Sequence, residues 1–212
     1  NHETSTPSTS PAGDAVSIDG QETCKLYTAL RINGVKISES PEWLRTKLEA
    51  IGLRPINNIV DITNFILHEH GQPLHAFDAA KVTGGLHIRN ASDDESFDAL
   101  DGESYPLRTN DCVISDESGN ALALGGIMGG EDSGVTETTT DIILESAWFH
   151  PPSIRATSRR LNLMSDSSYR FERGVDPGNV LSASAAAAKL ILELAGGRAA
   201  GNTLAQGAEP VL

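Results

Sequence analysis

Cysteine is scarce in this 212-residue chain: Cys24 and Cys112 lie far apart, and neither has a CxxC partner. That argues against a disulfide framework and against a cysteine zinc site, and leaves two reduced thiols as the plain reading. No apolar run approaches the ~20 residues of a membrane helix, so a spanning helix is excluded. Positive charge is also short, with 16 Lys and Arg against 29 Asp and Glu and a formal net charge of −13. Proteins that grip a nucleic-acid backbone over many phosphates draw that affinity from Lys and Arg, so any RNA contact here is expected to be local. The start, Asn1-His2-Glu3-Thr4, has neither an initiator Met nor the basic-then-apolar order of a signal peptide. We therefore expect a piece cut from a longer polypeptide. The remaining composition is that of an ordinary soluble globular protein, long enough to bury a proper core.

Several chemistry-bearing motifs are missing too. Gly125-Gly126-Ile127-Met128-Gly129-Gly130 lacks the Gly-Lys-Ser/Thr ending of a nucleotide loop, and its spacing is not the dinucleotide fingerprint. Paired glycines of this kind serve either a sharp structural turn or a wall that a ligand approaches closely. No GxSxG is present, which leaves a serine hydrolase little support. His68-Glu69-His70 looks metal-like, but residues i and i+2 of a helix lie roughly 200° apart and cannot share an ion. No His-Glu-x-x-His follows, so no metal site is expected.

What is present suggests one α+β domain. Residues 1–22, rich in Thr, Ser, Pro, Gly and acids, read as a disordered linker, and residues 23–212 as the folded unit. Residues 26–32 form a β-type run. Ser40 offers an N-cap to a helix with Pro41 first, Leu44, Leu48 and Ile51 at helical spacing, and Gly52 as its stop. Residues 58–70 predict a buried helix closed by Gly71. Short strands follow from about 84 to 144, with runs at 112–114 and 141–144 and turns at 101–102, 118–120 and 125–126. Helix returns at 152–161 and again after Asp176-Pro177, ending at Gly196-Gly197. Helices, then strands, then helices predict a layered domain with central antiparallel or mixed sheets, β-sandwich-like, flanked by helices.

Three features stand out as candidates. His75 follows a turn beyond the buried helix, where it is either a satisfied structural histidine or a catalytic one. Glu145 ends an apolar strand and shares a face with Ile143, so it either reaches solvent at the strand end or lies buried and needs a partner. Arg155, Arg159, Arg160, Arg170 and Arg173 concentrate positive charge in an acidic chain. They pair internally with Asp166, Glu172 and Asp176, or they present a small phosphate-facing patch.

Five segments together point further: 57–64 (Asn-Asn-Ile-Val-Asp-Ile-Thr-Asn), 71–78 (Gly-Gln-Pro-Leu-His-Ala-Phe-Asp), 123–130, 144–147, and 166–177 (Asp-Ser-Ser-Tyr-Arg-Phe-Glu-Arg-Gly-Val-Asp-Pro). In order and without large gaps, they resemble the editing region of the bacterial phenylalanyl-tRNA synthetase beta subunit over roughly residues 24–180. The resemblance implies post-transfer editing, the hydrolysis of tyrosine mischarged onto tRNA(Phe). It implies His75 and Glu145 as the catalytic pair, and Gly126, Gly129, Ser165 and Ser167 as substrate-binding residues with Thr63 and Asn64 nearby. Ser165 stands where the family often has Thr, and Ser167 where some members have Ala. Arg155, Arg159 and Arg170 become candidates for tRNA contact. The expected partners are the aminoacylated 3′ end of tRNA(Phe), the synthetase alpha subunit and the remaining beta-subunit domains. No cofactor is expected in this domain, whereas ATP and Mg²⁺ belong to the whole, cytoplasmic synthetase. The alternative is a non-catalytic scaffold with a decayed pocket. The chemistry suits editing: an apolar synthetic pocket rejects an added hydroxyl by only ~10², whereas a site that hydrogen-bonds the hydroxyl discriminates by ~10⁴–10⁵. Glu145 is then expected to read the phenol, and His75 to position or activate water.

Overall fold

The computed structural model describes residues 15–20 and 22–210. Its elements in chain order are β1 (Val16–Ile18), β2 (Cys24–Asn33), α1 (Glu42–Ala50), α2 (Asn58–His70), β3 (Leu74–Asp78), β4 (Leu86–Asn90), β5 (Ser96–Asp98) and β6 (Ser104–Pro106). There follow β7 (Cys112–Asp116), β8 (Ala121–Leu124), β9 (Met128–Gly129), β10 (Asp141–Phe149), α3 (Pro151–Leu161), α4 (Asp166–Phe171), α5 (Val180–Leu194), β11 (Arg198–Ala199) and β12 (Leu204–Gly207).

Two sheets carry the fold. One runs β1-β4-β7-β8-β9, and the other β11-β2-β10-β3, with β12 also paired to β2. Side chains alternate along β10, so its two faces feed two different cores. Ile143, Ala147 and Phe149 join Tyr27, Phe77, Val113, Leu124 and Phe171 in the core between the sheets. Ile142 and Leu144 point the other way, against Leu44, Ile59, Ile62 and Ile66 of α1 and α2 and against Ala183, Ala187 and Ile191 of α5. The second sheet is thus the middle layer of a sheet–sheet–helix stack, and the expected α+β, sandwich-like class with flanking helices describes it.

Local chemistry sets the helix ends. Asn57 accepts hydrogen bonds from the Ile59 and Val60 amides, a cap worth about 1 kcal/mol, and Gly71 at φ +71° closes α2 in the left-handed conformation. Two readings need correction. Ser40 does not cap α1: Pro41 holds the N-cap position, and the Ser40 hydroxyl bonds the buried Asp61 carboxylate at 2.6 Å. Asp61 also accepts from the Ile56 amide at 2.8 Å, so the serine is spent on tying the α1 entrance to α2. The span given to a linker contains β1, whose Val16, Ser17 and Ile18 pair in parallel with Leu86, His87 and Ile88. A three-residue strand has no detectable period of its own; the preformed edge of β4 and the inter-sheet core hold Val16 and Ile18. Residues 1–14 of that proposed linker lie outside the described residues. A short helix, α4, was not expected from the sequence. No helix among the described residues is long and apolar enough to cross a membrane.

Candidate functional site

The middle sheet sets the site's geometry. β10 lies between β2 and β3, and its antiparallel register with β3 places Glu145 directly opposite His75. Directly opposed residues hold their Cβ atoms about 4.5–5.5 Å apart. Both side chains face the inter-sheet layer, where β8, the turn after it and β9 come down over them. Pro73, Leu74, His75, Glu145, Gly126, Met128, Gly129 and Ser167 are among the residues lining one half-open cavity of about 80 Å³ there. Of the residues named from the sequence, His75, Glu145, Gly126, Gly129 and Ser167 therefore come together.

Glu145 is 6% exposed, and its Oε2 accepts a hydrogen bond from the Tyr27 hydroxyl at 2.8 Å. Burial raises its pKa from the ordinary carboxylate range to about 7, against the smaller downward pull of the Tyr27 hydroxyl. His75 follows the turn beyond α2, as expected, and lies in strand β3. Its Nε2 is shut off from solvent and has no hydrogen-bond partner, and burial pushes its pKa down to about 4. The ring is held by an edge contact with Phe77, centroids 4.5 Å apart. Asp78 does not orient it, because that carboxylate binds the Thr139 hydroxyl at 2.7 Å and the Ala80 amide at 3.0 Å. Between roughly pH 4 and 7 the pair is uncharged, the proton residing on Glu145; above pH 7 the site gains a carboxylate beside a neutral imidazole.

The glycine segment serves both purposes the sequence left open. Gly125 to Ile127 form the turn between β8 and β9, with the Ile127 amide donating to the Leu124 carbonyl at 3.0 Å. Gly126 sits at φ +70°, and a Cβ there would stand 2.8 Å from the Phe149 ring. Gly129 is a close-approach position, where a Cβ would meet His75 Cε1 at 3.0 Å and Nε2 at 3.4 Å. Gly129→Ala is accordingly expected to leave the fold intact but push the imidazole aside by a few tenths of an ångström. The NMR shifts of the His75 ring measure that displacement, and unchanged shifts would show that the added methyl is accommodated elsewhere.

Three sequence candidates do not line this cavity. The Ser165 hydroxyl is consumed in a capping box, accepting from the Ser168 amide at 3.0 Å and donating to the Ile127 carbonyl at 2.8 Å. It thereby docks α4 onto the β8–β9 turn and sets Ser167 at the cavity wall. Thr63 is buried in α2, its hydroxyl donating back to the Val60 carbonyl at 2.8 Å, and Asn64 follows it on that helix. Tyr27 is the residue that sequence reasoning missed. It lay in a β-type run, and nothing local marks a core tyrosine as the partner of an acid 118 positions away.

The arginines divide. Arg160 pairs with buried Asp111, Arg173 with Glu172 at 2.6 Å, and Arg170 with Asp166 at 3.2 Å and His68 at 3.2 Å. Arg155 and Arg159 are exposed on α3 and border a depression with Pro151, Pro152, Ala156 and Glu172. Among the described residues no group of three or more His, Cys, Asp or Glu is arranged to hold a metal ion.

The B3/4 domain model matches residues 23–196. The phenylalanine–tRNA ligase beta subunit of Chlorobium chlorochromatii is 54% identical over 187 residues, covering 88% of this chain and 23% of that protein. The beta subunit from Porphyromonas gingivalis is 51% identical over 189 residues, covering 89% and 23%. The chain thus spans about a quarter of the length of these curated relatives. In overall fold it is similar to an N-terminal fragment of the phenylalanyl-tRNA synthetase beta subunit from Pyrococcus horikoshii, with TM-score 0.50, 15% identity, and 73% of this chain and 51% of that one covered. With most of its length matched by that one domain model, the chain belongs to the B3/4 domain family.

Proposed function

We propose that this domain is the editing module of a phenylalanine–tRNA ligase beta subunit and hydrolyses tyrosine esterified to tRNA(Phe). The observation that carries the reading is the cavity in which a buried carboxylate and an unpartnered imidazole nitrogen face one space. The high identity to ligase beta subunits supports it.

In this reading the tyrosyl side chain enters the cleft and its phenol donates to Glu145 Oε1, which has no partner among the described residues. A phenylalanyl ester fills the cleft without giving that carboxylate oxygen a donor, and this difference supplies the discrimination. His75 is too weak a base, at about 4, to take a proton efficiently near neutral pH, so its role is to hold the attacking water through a ring nitrogen. Water adds to the ester carbonyl carbon, the bond to the ribose oxygen breaks, and free tyrosine and uncharged tRNA leave. Because the ester is activated already, positioning is enough, and no covalent nucleophile takes part.

The acidic chain fits a contact confined to the charged 3′ end, with Arg155, Arg159 and Arg170 as the candidate cations for its phosphates. The alpha subunit, the other beta-subunit domains, ATP and Mg²⁺ belong to the complete cytoplasmic enzyme in this proposal. A second reading, a non-catalytic scaffold with a decayed pocket, draws on the cavity's size: about 80 Å³ is smaller than the ~150 Å³ that holds a benzene ring. In the editing reading the half-buried, flexible Met128 side chain swings aside to admit the phenol. Deacylation assays with Tyr-tRNA(Phe) and Phe-tRNA(Phe), run on the complete ligase, decide between the two. Preferential release of tyrosine supports editing, and equal, background-level release of both sinks it.

A further inference from the structure

We propose that Tyr27 is a positioning residue of this site: its buried hydroxyl engages one oxygen of Glu145 and so leaves the other, Oε1, as the carboxylate acceptor for the incoming phenol. The inference deepens the editing reading and rests on it.

Tyr27 is fully buried in β2, on the side of β10 opposite His75. The register places Tyr27 against Ala147 and Ala29 against Glu145, so Tyr27 is the diagonal neighbour of the glutamate, within reach of an aromatic side chain. The small Ala29 leaves room for the ring's hydroxyl end to meet Oε2 at 2.8 Å. A buried phenol needs a partner, yet a backbone carbonyl satisfies one without the desolvation cost that a carboxylate brings. Spending that cost on a carboxylate that lines a cavity is the signature of a site. The core needs no such pair.

The hydroxyl does two things at once. It fixes the carboxylate's rotation, and it donates to the charged form. The other titratable groups around Glu145 are Cys24 on β2, Cys112 on β7 and His75 on β3. Burial pushes both thiols up, Cys112 to about 12, and keeps the imidazole neutral, so none of them compensates a lost Tyr27 hydroxyl near neutral pH. Without it the carboxyl turns more freely and holds its proton to higher pH.

Tyr27→Phe keeps the ring and the core volume. In the full-length protein, infrared difference titration of the Glu145 carboxyl, identified by subtracting Glu145→Gln, is expected to show a midpoint about one pH unit higher in the Phe variant. Hydrolysis of the tyrosyl ester is expected to show KM raised about threefold near pH 7.5 with a smaller change in kcat, recovering as the pH is raised by about one unit. A purely structural tyrosine would give an unmoved midpoint and a loss equal at every pH, and that result overturns the inference. Fluorotyrosine at position 27, a stronger donor of the same shape, moves the midpoint the opposite way and serves if the Phe variant does not fold. An unmoved midpoint with fluorotyrosine overturns the inference as well. The midpoint is read without any activity, so it decides the role of Tyr27, whereas wild-type hydrolysis of the tyrosyl ester separately decides the editing reading.

Discussion

Glu145→Gln in the complete ligase is expected to lower hydrolysis of Tyr-tRNA(Phe) by about 10²-fold while leaving the fold intact and the release of phenylalanine unchanged. The amide keeps the side chain's shape and the Tyr27 contact but removes the charge that, in the proposed editing reading, accepts the phenol. Charge-assisted hydrogen bonds are roughly twice as strong as neutral ones, so the loss falls on the tyrosyl ester alone. The pH dependence carries the same signature. Burial holds the Glu145 carboxyl at about 7, so wild-type tyrosine release rises as pH increases through 7, whereas the Gln variant stays low and flat. Deacylation measured from pH 6 to 8.5 (about one unit or more either side of that value) tests both statements. Undiminished tyrosine release by the variant would remove Glu145 from the reading role.

The second large effect is on stability, and it appears only when the pair is separated. For Glu145, the folded chain keeps a proton up to about pH 7, while the unfolded chain releases it near 4.5. Between these values the native state binds more protons, so this group's contribution to stability falls as pH rises, by about 3 kcal/mol across the window. For His75 the sign is opposite. The folded imidazole stays neutral down to about 4, while the unfolded one takes a proton near 6.5, so its contribution is lost as pH falls through that window, again by about 3 kcal/mol. The two slopes offset each other over the shared range, and wild-type stability is expected to be nearly level from pH 4.5 to 6.5 as far as these groups decide it. Glu145→Gln should unmask stability that climbs with pH, and His75→Gln stability that declines with pH. Urea unfolding of the three proteins at half-unit pH steps reads this directly. Parallel curves would show that neither group is buried as described.

Much of the chain's organisation was legible because it is local. Asn57 and Gly71 bound α2 through contacts within a few residues, and the paired glycines announced the turn at Gly125 to Ile127. The readings that needed correction depend on distant partners. Ser40 has every local mark of an N-cap, yet its hydroxyl is drawn to Asp61 on the next helix. Ser165 belongs to the motif that the family resemblance assigned to the pocket, yet its hydroxyl is used up between the Ser168 amide and the Ile127 carbonyl. β1 was invisible, since three residues gain strand geometry only from the edge they join.

The sequence by itself determined the longer helices and strands, the layered class and the chemical identity of the candidates. These follow from side-chain period, capping chemistry and glycine's backbone freedom, all of which act over a few residues. Only the tertiary structure decided which candidates meet. Glu145 faces His75 because β10 and β3 pair in one register, and a slip of one residue would send its side chain to the helical face of the sheet. Tyr27 reaches the same carboxylate from the strand on the other side, across 118 positions of chain. The altered acidities of Glu145 and His75 arise at that same level, because desolvation belongs to the closed space between the sheets and to no residue alone.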